Sequence, residues 1–380
     1  MDFGLSEEQE LLRGNVREFA EAEIKPLARE LDETGRYPRD ILKKAAGLGL
    51  TGITVPERYG GAGMDHVSYA IAIEEISRAC ASTGVILSVH NSLYCGAIEH
   101  FGTEEQKQKF LVPFARGEKI GAYALSEPQA GSNAAALAAK AVRRGDRYVV
   151  NGTKAWVTSG GAAEAAVVFV NTGLERGEKG ITALVVEKGA PGFAVGKEET
   201  KLGVHATACC ELVFSDCEVP VTNRLGEEGQ GYKIALATLD SGRIGIASQA
   251  IGIAQGAYDA ALAYARHRHA FGRPLAEMQA IQFMLADMAT EIEAARLLAW
   301  RAAWRQDSGV RFSKEAAMAK LFASEMASRV AHRAMQIHGA NGYSREYPVE
   351  RAYRDARVTE IYEGTSEIQR LVIASWALKG

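Results

Sequence analysis

The hydrophobic pattern of this chain switches period twice, and that order constrains the fold more than any other feature. From Ser6 onward, Leu12, Val16, Phe19, Leu27 and Leu31 follow one another at helical steps. Ser6 with Gln9, and Thr103 with Gln106, have the spacing of capping boxes, where a hydroxyl and an amide satisfy orphan N–H groups at a helix start. Pro26 predicts a kink or an end in the first helix, because proline lacks the N–H that the helix needs. Near Gly121 the period becomes that of strands. Tyr148–Val150 and Ala155–Thr158 flank Asn151-Gly152, and Gly145-Asp146 precedes them, so both dipeptides read as two-residue turns. Val167–Val170, Ala183–Val186 and Leu212–Phe214 are further short runs. From Gly231 the helical pattern returns, over 231–265, 276–306, 313–339 and 366–378.

Helices, then strands, then helices exclude a doubly wound α/β sheet, which needs the two to alternate. The expectation is a mainly α chain with a central antiparallel β domain. It divides into an N-terminal helical domain (1–120), a middle β-barrel-like domain (121–225) and a C-terminal four-helix bundle (226–380). A length of 380 residues is enough for two or three such units. Gly47-Leu48-Gly49-Leu50-Thr51-Gly52 matches the dinucleotide fingerprint, but it follows a helical run rather than a strand and carries no weight.

A net charge of −3 leaves no basic footprint for nucleic acid. No apolar run approaches the roughly 18 residues of a membrane span. The first residues, Met1-Asp2-Phe3-Gly4-Leu5-Ser6-Glu7, are acidic and polar rather than a signal or transit peptide. The expected compartment is the cytoplasm, or the mitochondrial matrix if a transit peptide has been removed. Five cysteines without a Cys-x-x-Cys pair fit buried free thiols in a reducing compartment. His267 and His269, two apart, are not read as metal ligands, and no metal is expected.

Several segments carry candidate chemistry. Glu363 lies in Ile361-Tyr362-Glu363-Gly364-Thr365-Ser366-Glu367-Ile368-Gln369-Arg370, on a loop before a helix that Ser366 and Gln369 are expected to cap. A lone loop glutamate is ordinarily solvated; one in apolar surroundings has a raised pKa and can take a carbon-bound proton near neutral pH. Tyr123-Ala124-Leu125-Ser126-Glu127-Pro128-Gln129-Ala130-Gly131-Ser132-Asn133 is either an ordinary turn or a Gly/Ser loop suited to phosphate or a heteroaromatic edge. Trp156 and Thr158, two apart on a strand, project from one face. Arg266-His267-Arg268-His269-Ala270-Phe271-Gly272-Arg273 is a solvated helix end or a pyrophosphate site.

Taken together, these strings resemble the acyl-CoA dehydrogenase family, end to end and in family order. The resemblance implies FAD as cofactor, an acyl-CoA substrate and Glu363 as catalytic base. It assigns Tyr123, Leu125, Ser126, Gly131, Ser132, Trp156, Val157, Thr158, Thr365 and Glu367 to cofactor binding. Arg268, Phe271, Gln279, Gln336, Gly339 and Ala340 join them, meeting FAD held mainly by a neighbouring subunit, which implies a homo-oligomer, a tetramer built as a dimer of dimers. Ser132, Asp240, Arg243 and Gly364 would face the substrate. The family more often has Gly at Gln129, Asp at Asn133 and Gly at Ala340. Branches that carry the base at position 242 are excluded, because Gly242 has no side chain. The implied reaction is α,β-dehydrogenation to a trans-2-enoyl-CoA, with electrons passed to an electron-transfer flavoprotein. Ser88-Val89-His90-Asn91-Ser92-Leu93-Tyr94 is most similar to short-chain, butyryl-CoA-type members, and the 88–99 stretch is expected to limit the acyl pocket. A branched or cyclic acyl-CoA dehydrogenase, an enoyl-CoA reductase, an oxidase and a non-catalytic CoA- or flavin-binding protein are the alternatives.

Overall fold

The computed structural model describes residues 4–379, except the side chains at 174–176; the readings at Met1–Phe3 and Gly380 lie outside the described residues. The N-terminal helices are α1 (Glu7–Phe19), α2 (Ala28–Thr34), α3 (Arg39–Gly47), α4 (His66–Ala79), α5 (Ala81–Ser88), α6 (Gly96–Phe101), α7 (Glu104–Phe110) and α8 (Val112–Ala115). Both predicted capping boxes form, at Ser6 and Thr103. Around Pro26 the helix breaks as expected, through a π turn (Ala20–Ile24) and a 3₁₀ turn (Lys25–Leu27). The Gly47–Gly52 string follows α3, so no strand feeds it.

Eight strands make the middle sheet: β1 (Gly121–Ala124), β2 (Lys140–Arg144), β3 (Arg147–Val157), β4 (Ala165–Asn171), β5 (Ile181–Glu187), β6 (Phe193–Glu198), β7 (Cys210–Pro220) and β8 (Arg224–Leu225). Their order is β6-β7-β3-β2-β4-β5-β8, with β1 on β4. Most pairings are antiparallel; β1–β4 and the single β2–β4 contact are parallel. Gly145-Asp146 turns β2 into β3 as predicted. Asn151-Gly152 does not turn. It lies inside the continuous strand β3, where the register against β7 shifts between Val150 and Gly152. The φ of +144° at Gly152 makes this a bulge, a backbone state glycine accepts at no steric cost.

The C-terminal part holds α9 (Gly231–His267), the short hairpin β9 (His269–Ala270) and β10 (Arg273–Pro274), then α10 (Gln279–Asp307), α11 (Ser313–His338), α12 (Pro348–Val358) and α13 (Ser366–Ala377). His267 ends α9, and the hairpin places His269 off the helix. Helix α12 has no counterpart in the sequence reading. Along α9, α10 and α11 a core of alanines with Met288, Ile292, Met326 and Val330 lets the helices approach closely. Helix α4 is buried almost all round, because it packs against α1 on one side and α9 on the other. No described helix is long and apolar enough to cross a membrane. All five cysteines are buried free thiols.

Candidate active site

Glu363 stands between α12 and α13, on backbone that doubles back. Its φ is +51°, and that of Gly364 is +96°. A glutamate seldom adopts this state, which costs about 1–3 kcal/mol unless its surroundings enforce it. Three bonds do so. Lys320 Nζ on α11 donates to the Gly364 carbonyl at 2.7 Å. Gln369 Nε2 donates to the carbonyls of Glu363 at 3.2 Å and Gly364 at 2.9 Å. Gln369 therefore ties the loop down from inside α13. The cap of α13 is Thr365, whose hydroxyl accepts from Ile368 N, so the expected Ser366 cap is one residue off.

The loop aims Glu363 at α9. A Cβ added to Gly242 would lie 2.2 Å from Glu363 Oε2 and 2.8 Å from Leu93 Cδ2. A side chain there would displace the carboxylate or the leucine. Leu93 belongs to a π-helical stretch, Val89–Cys95, of the kind often found at functional sites. Asn91 braces it, accepting from Ile53 N and donating to the carbonyls of Leu50 and Leu87. His90 Nδ1 accepts from Gly121 N, which leaves Nε2 to donate to the Phe114 carbonyl; burial lowers its pKa to about 4, consistent with a neutral ring.

Both Glu363 carboxylate oxygens are buried and without a hydrogen-bond partner, although the residue as a whole is only half-buried. Among the described residues its N–H has no acceptor either. Burial pushes the carboxyl up to about 7, against the opposing pull of Lys320 and Arg243. The two residues before Glu363 point in different directions. Tyr362 turns inward, its hydroxyl donating to Gln249 Oε1, whereas Ile361 faces solvent. Leu93 and the α9 backbone at Gly242 also crowd the carboxylate.

Arg243 is buried and pairs with Asp240 at 2.5 Å, and Asp240 also accepts from Ser313 Oγ at 2.5 Å. Burial lowers the Arg243 pKa, against Asp240 and Glu363. A cavity of about 170 Å³ opens beside this cluster, lined by Tyr69, Ser92, Gly96, Thr238 and Ser241 among others. A larger cavity, about 380 Å³, lies between the first helices and α12 and shares no residue with the cluster.

The flavin candidates fall into two sets. In the first, a buried ion pair between Lys154 and Glu127 (2.7 Å) fastens the 125–130 loop to β3. Lys154 also donates to the Leu125 carbonyl, Ala155 N donates to the Ser126 carbonyl, and Ala138 N and Ala139 N donate to Glu127. Burial opposes the charge on Glu127, but Lys154 and those two amides outweigh it and its pKa falls below the ordinary value; Lys154 is lowered to about 8 by burial. Gly131 and Ser132 are exposed on the same loop. Trp156 and Thr158 do not share a strand face: Trp156 is a bulge with φ +59° and Thr158 lies past the end of β3. The bulge turns the indole outward, 60% exposed. Val157 and Tyr123 are buried in the core, Tyr123 with its hydroxyl on Thr238 Oγ1 at 2.9 Å. Thr365 and Glu367 sit at the start of α13, Glu367 exposed.

In the second set, Arg268 ends α9, and Phe271 tips the β9–β10 hairpin with φ +51° and 97% exposure. Gln279 opens α10 and Gln336 closes α11; both are exposed, as are Gly339 and Ala340 just beyond α11. Within one copy of the chain no hydrogen bond or ion pair joins the two sets, among the described residues. No group of His, Cys, Asp and Glu able to hold a metal is found among the described residues.

No sequence signal singles out Lys320 or Gln249. Both lie in helical runs, and only tertiary packing buries them. Glu127 and Lys154, 27 residues apart, stand inside the matching strings, but their pairing is a fact of the fold.

Comparison with known proteins bears on the whole chain. Three family descriptions match: acyl-CoA dehydrogenase, N-terminal domain over residues 6–118, middle domain over 122–217 and C-terminal domain over 229–378. The mitochondrial short-chain specific acyl-CoA dehydrogenase of Rattus norvegicus is 55% identical over 375 residues, covering 99% of this chain and 91% of that one. The solved butyryl-CoA dehydrogenase of Megasphaera elsdenii is 45% identical, with a TM-score of 0.98 and full coverage of both chains. A chain solved in work on the electron transferring flavoprotein of Acidaminococcus fermentans is 48% identical, with a TM-score of 0.99 and full coverage of both. With the expected helical, β and helical order also in place, the chain belongs to the acyl-CoA dehydrogenase family of flavoprotein oxidoreductases.

Proposed function

We propose that the protein dehydrogenates short-chain acyl-CoA thioesters to trans-2-enoyl-CoA, with Glu363 as the base. The observation that carries this reading is the Glu363 carboxylate, buried, without a hydrogen-bond donor of its own and raised to about 7. A carboxylate so placed takes a proton near neutral pH. Removing the α-proton of a thioester drives charge onto its carbonyl oxygen. The Glu363 N–H, which has no acceptor among the described residues, is a donor for that charge. Arg243 and Asp240 hold each other beside the carboxylate and are the candidates to meet the CoA portion with Ser132 and Gly364.

The residues suit FAD. Trp156 presents an exposed indole, Gly131 leaves open space on a loop with Leu125, Ser126 and Ser132, and Thr158, Thr365 and Glu367 add polar groups. Arg268, Phe271, Gln279, Gln336, Gly339 and Ala340 would come from a second copy of the chain; the 97% exposure of Phe271 and 88% of Tyr343 favour such an oligomer. The chemistry a bound FAD supplies is acceptance of the β-hydride. An electron-transfer flavoprotein is the proposed acceptor, a reading supported by the Acidaminococcus fermentans match.

A short acyl chain is favoured because Leu93, in the 88–99 stretch, packs directly at the carboxylate over Gly242. Rates on butyryl-, octanoyl- and dodecanoyl-CoA test this. A steep fall with length is expected; equal rates on butyryl- and dodecanoyl-CoA would overturn the short-chain assignment.

A further inference from the structure

We infer that Lys320 is a positioning residue for the base: its ammonium holds the loop that aims Glu363 and sets the charge balance around the carboxylate. This rests on Glu363 being the base. Lys320 is fully buried on α11, yet no carboxylate lies within ion-pair distance of it among the described residues. Among the described residues its side chain makes one hydrogen bond, to the Gly364 carbonyl at 2.7 Å. A buried ammonium with one of three donors used is costly to the fold, and a salt-bridged lysine would not be left this way. Its place is explained by what it holds. The carbonyl it grips belongs to the second of two left-handed residues, and the first is Glu363 itself. Gln369 takes the same carbonyl from the other side, so the turn is clamped between α11 and α13.

The clamp is also electrostatic. The charged groups bearing on Lys320 are Glu363 on the loop, Arg243 on α9, Glu360 at the end of α12 and Glu367 on α13. Glu360 is engaged by the Ser328 hydroxyl and by Arg357 at 2.8 Å, and Glu367 is exposed. Facing Glu363 are Lys320 and Arg243, together with the hydroxyls of Tyr69, Tyr123 and Tyr362, whose ionisation its charge opposes. Arg243 is already committed to Asp240, which leaves Lys320 as the cation without an acid of its own. Burial lowers Lys320 to about 7 and raises Glu363 to about 7, and in each case the other's charge opposes the shift.

The test uses the FAD-loaded full chain and the variants Lys320→Met, Lys320→Gln and Lys320→Arg. Glutamine keeps a donor for the Gly364 carbonyl and loses the charge; arginine keeps the charge and cannot lose its proton. The readout is the protonation of Glu363 in the resting enzyme, followed by its infrared carboxyl band against pH with Glu363→Gln as the blank. The pH dependence of kcat/KM is read beside it. With Met or Gln, the Glu363 midpoint is expected to rise by about one pH unit, as for loss of a neighbouring opposite charge. With Arg, which keeps the positive charge, the midpoint stays near wild type.

An unmoved midpoint in Lys320→Gln would overturn the inference, as would a midpoint that rises by about one pH unit in Lys320→Arg. The second arm stands even if the uncharged variants do not fold. Activity retained in Glu363→Gln would instead remove the base assignment, so the two failures are separable.

Discussion

Replacing Glu363 by glutamine keeps the loop's shape and removes the one group proposed to accept a proton. The structure sets two magnitudes. Burial lifts the carboxyl from 4.5 to about 7, which corresponds to roughly 3 kcal/mol against its charged form. The folded chain therefore binds this proton more tightly than the unfolded chain. The stability that the neutral acid allows is complete below about 4.5 and declines as pH rises through about 7. Glutamine carries no charge and escapes that decline. Glu363→Gln is expected to melt above wild type at pH 8, by an amount equivalent to at most roughly 3 kcal/mol, with the gap narrowing toward pH 4.5. Over the same range flavin reduction by butyryl-CoA should fall by roughly 10²–10⁴-fold or more, the usual worth of a general base. The assays are calorimetry at two pH values and anaerobic stopped-flow absorbance on protein of equal FAD content. Equal melting at both pH values with near wild-type reduction would refute the argument, because neither a buried charge nor a base would then reside at 363.

Three further outcomes follow from the geometry. Gly242→Ala puts a methyl group 2.2 Å from Glu363 Oε2 and should cost roughly 10²-fold in flavin reduction with FAD content unchanged; a normal rate would mean the carboxylate works from another position. Arg268→Ala should lose FAD on dilution and gel filtration, and flavin that stays bound would remove Arg268 from the cofactor site. Lys154→Met leaves Glu127 buried without its cation, so a loss of about 3–5 kcal/mol in denaturant titration is expected, and an unchanged midpoint would mean that the pair does not hold the loop.

Local signals in the sequence were legible where local physics decides the outcome. The Ser6 and Thr103 capping boxes form because a hydroxyl three residues before an amide needs nothing from the rest of the fold. Glu363 on a loop before a helix was readable for the same reason. The failures share a cause. Asn151-Gly152 has the chemistry of a turn, but pairing of β3 with β7 on both sides of it makes a bulge the better solution. That irregularity, repeated before Val157, defeats the two-residue face rule for Trp156 and Thr158. Thr365 and Ser366 are both competent caps, and the fold uses Thr365, next to the Gly364 carbonyl that Lys320 and Gln369 hold. Helix α12 is rich in arginine and buries only Val349, Asp355 and Ala356, so its apolar stripe was too thin to see. Lys320, amid alanines, has the look of a solvated helical lysine; its burial comes from a loop more than forty residues away.

The most direct test of the central claim is to mix the FAD-loaded protein with butyryl-CoA in the absence of oxygen and follow the flavin absorbance while assaying crotonyl-CoA. The account predicts bleaching with stoichiometric crotonyl-CoA in wild type and neither in Glu363→Gln. Full FAD occupancy with no bleaching in wild type, or equal bleaching in the two proteins, would contradict it.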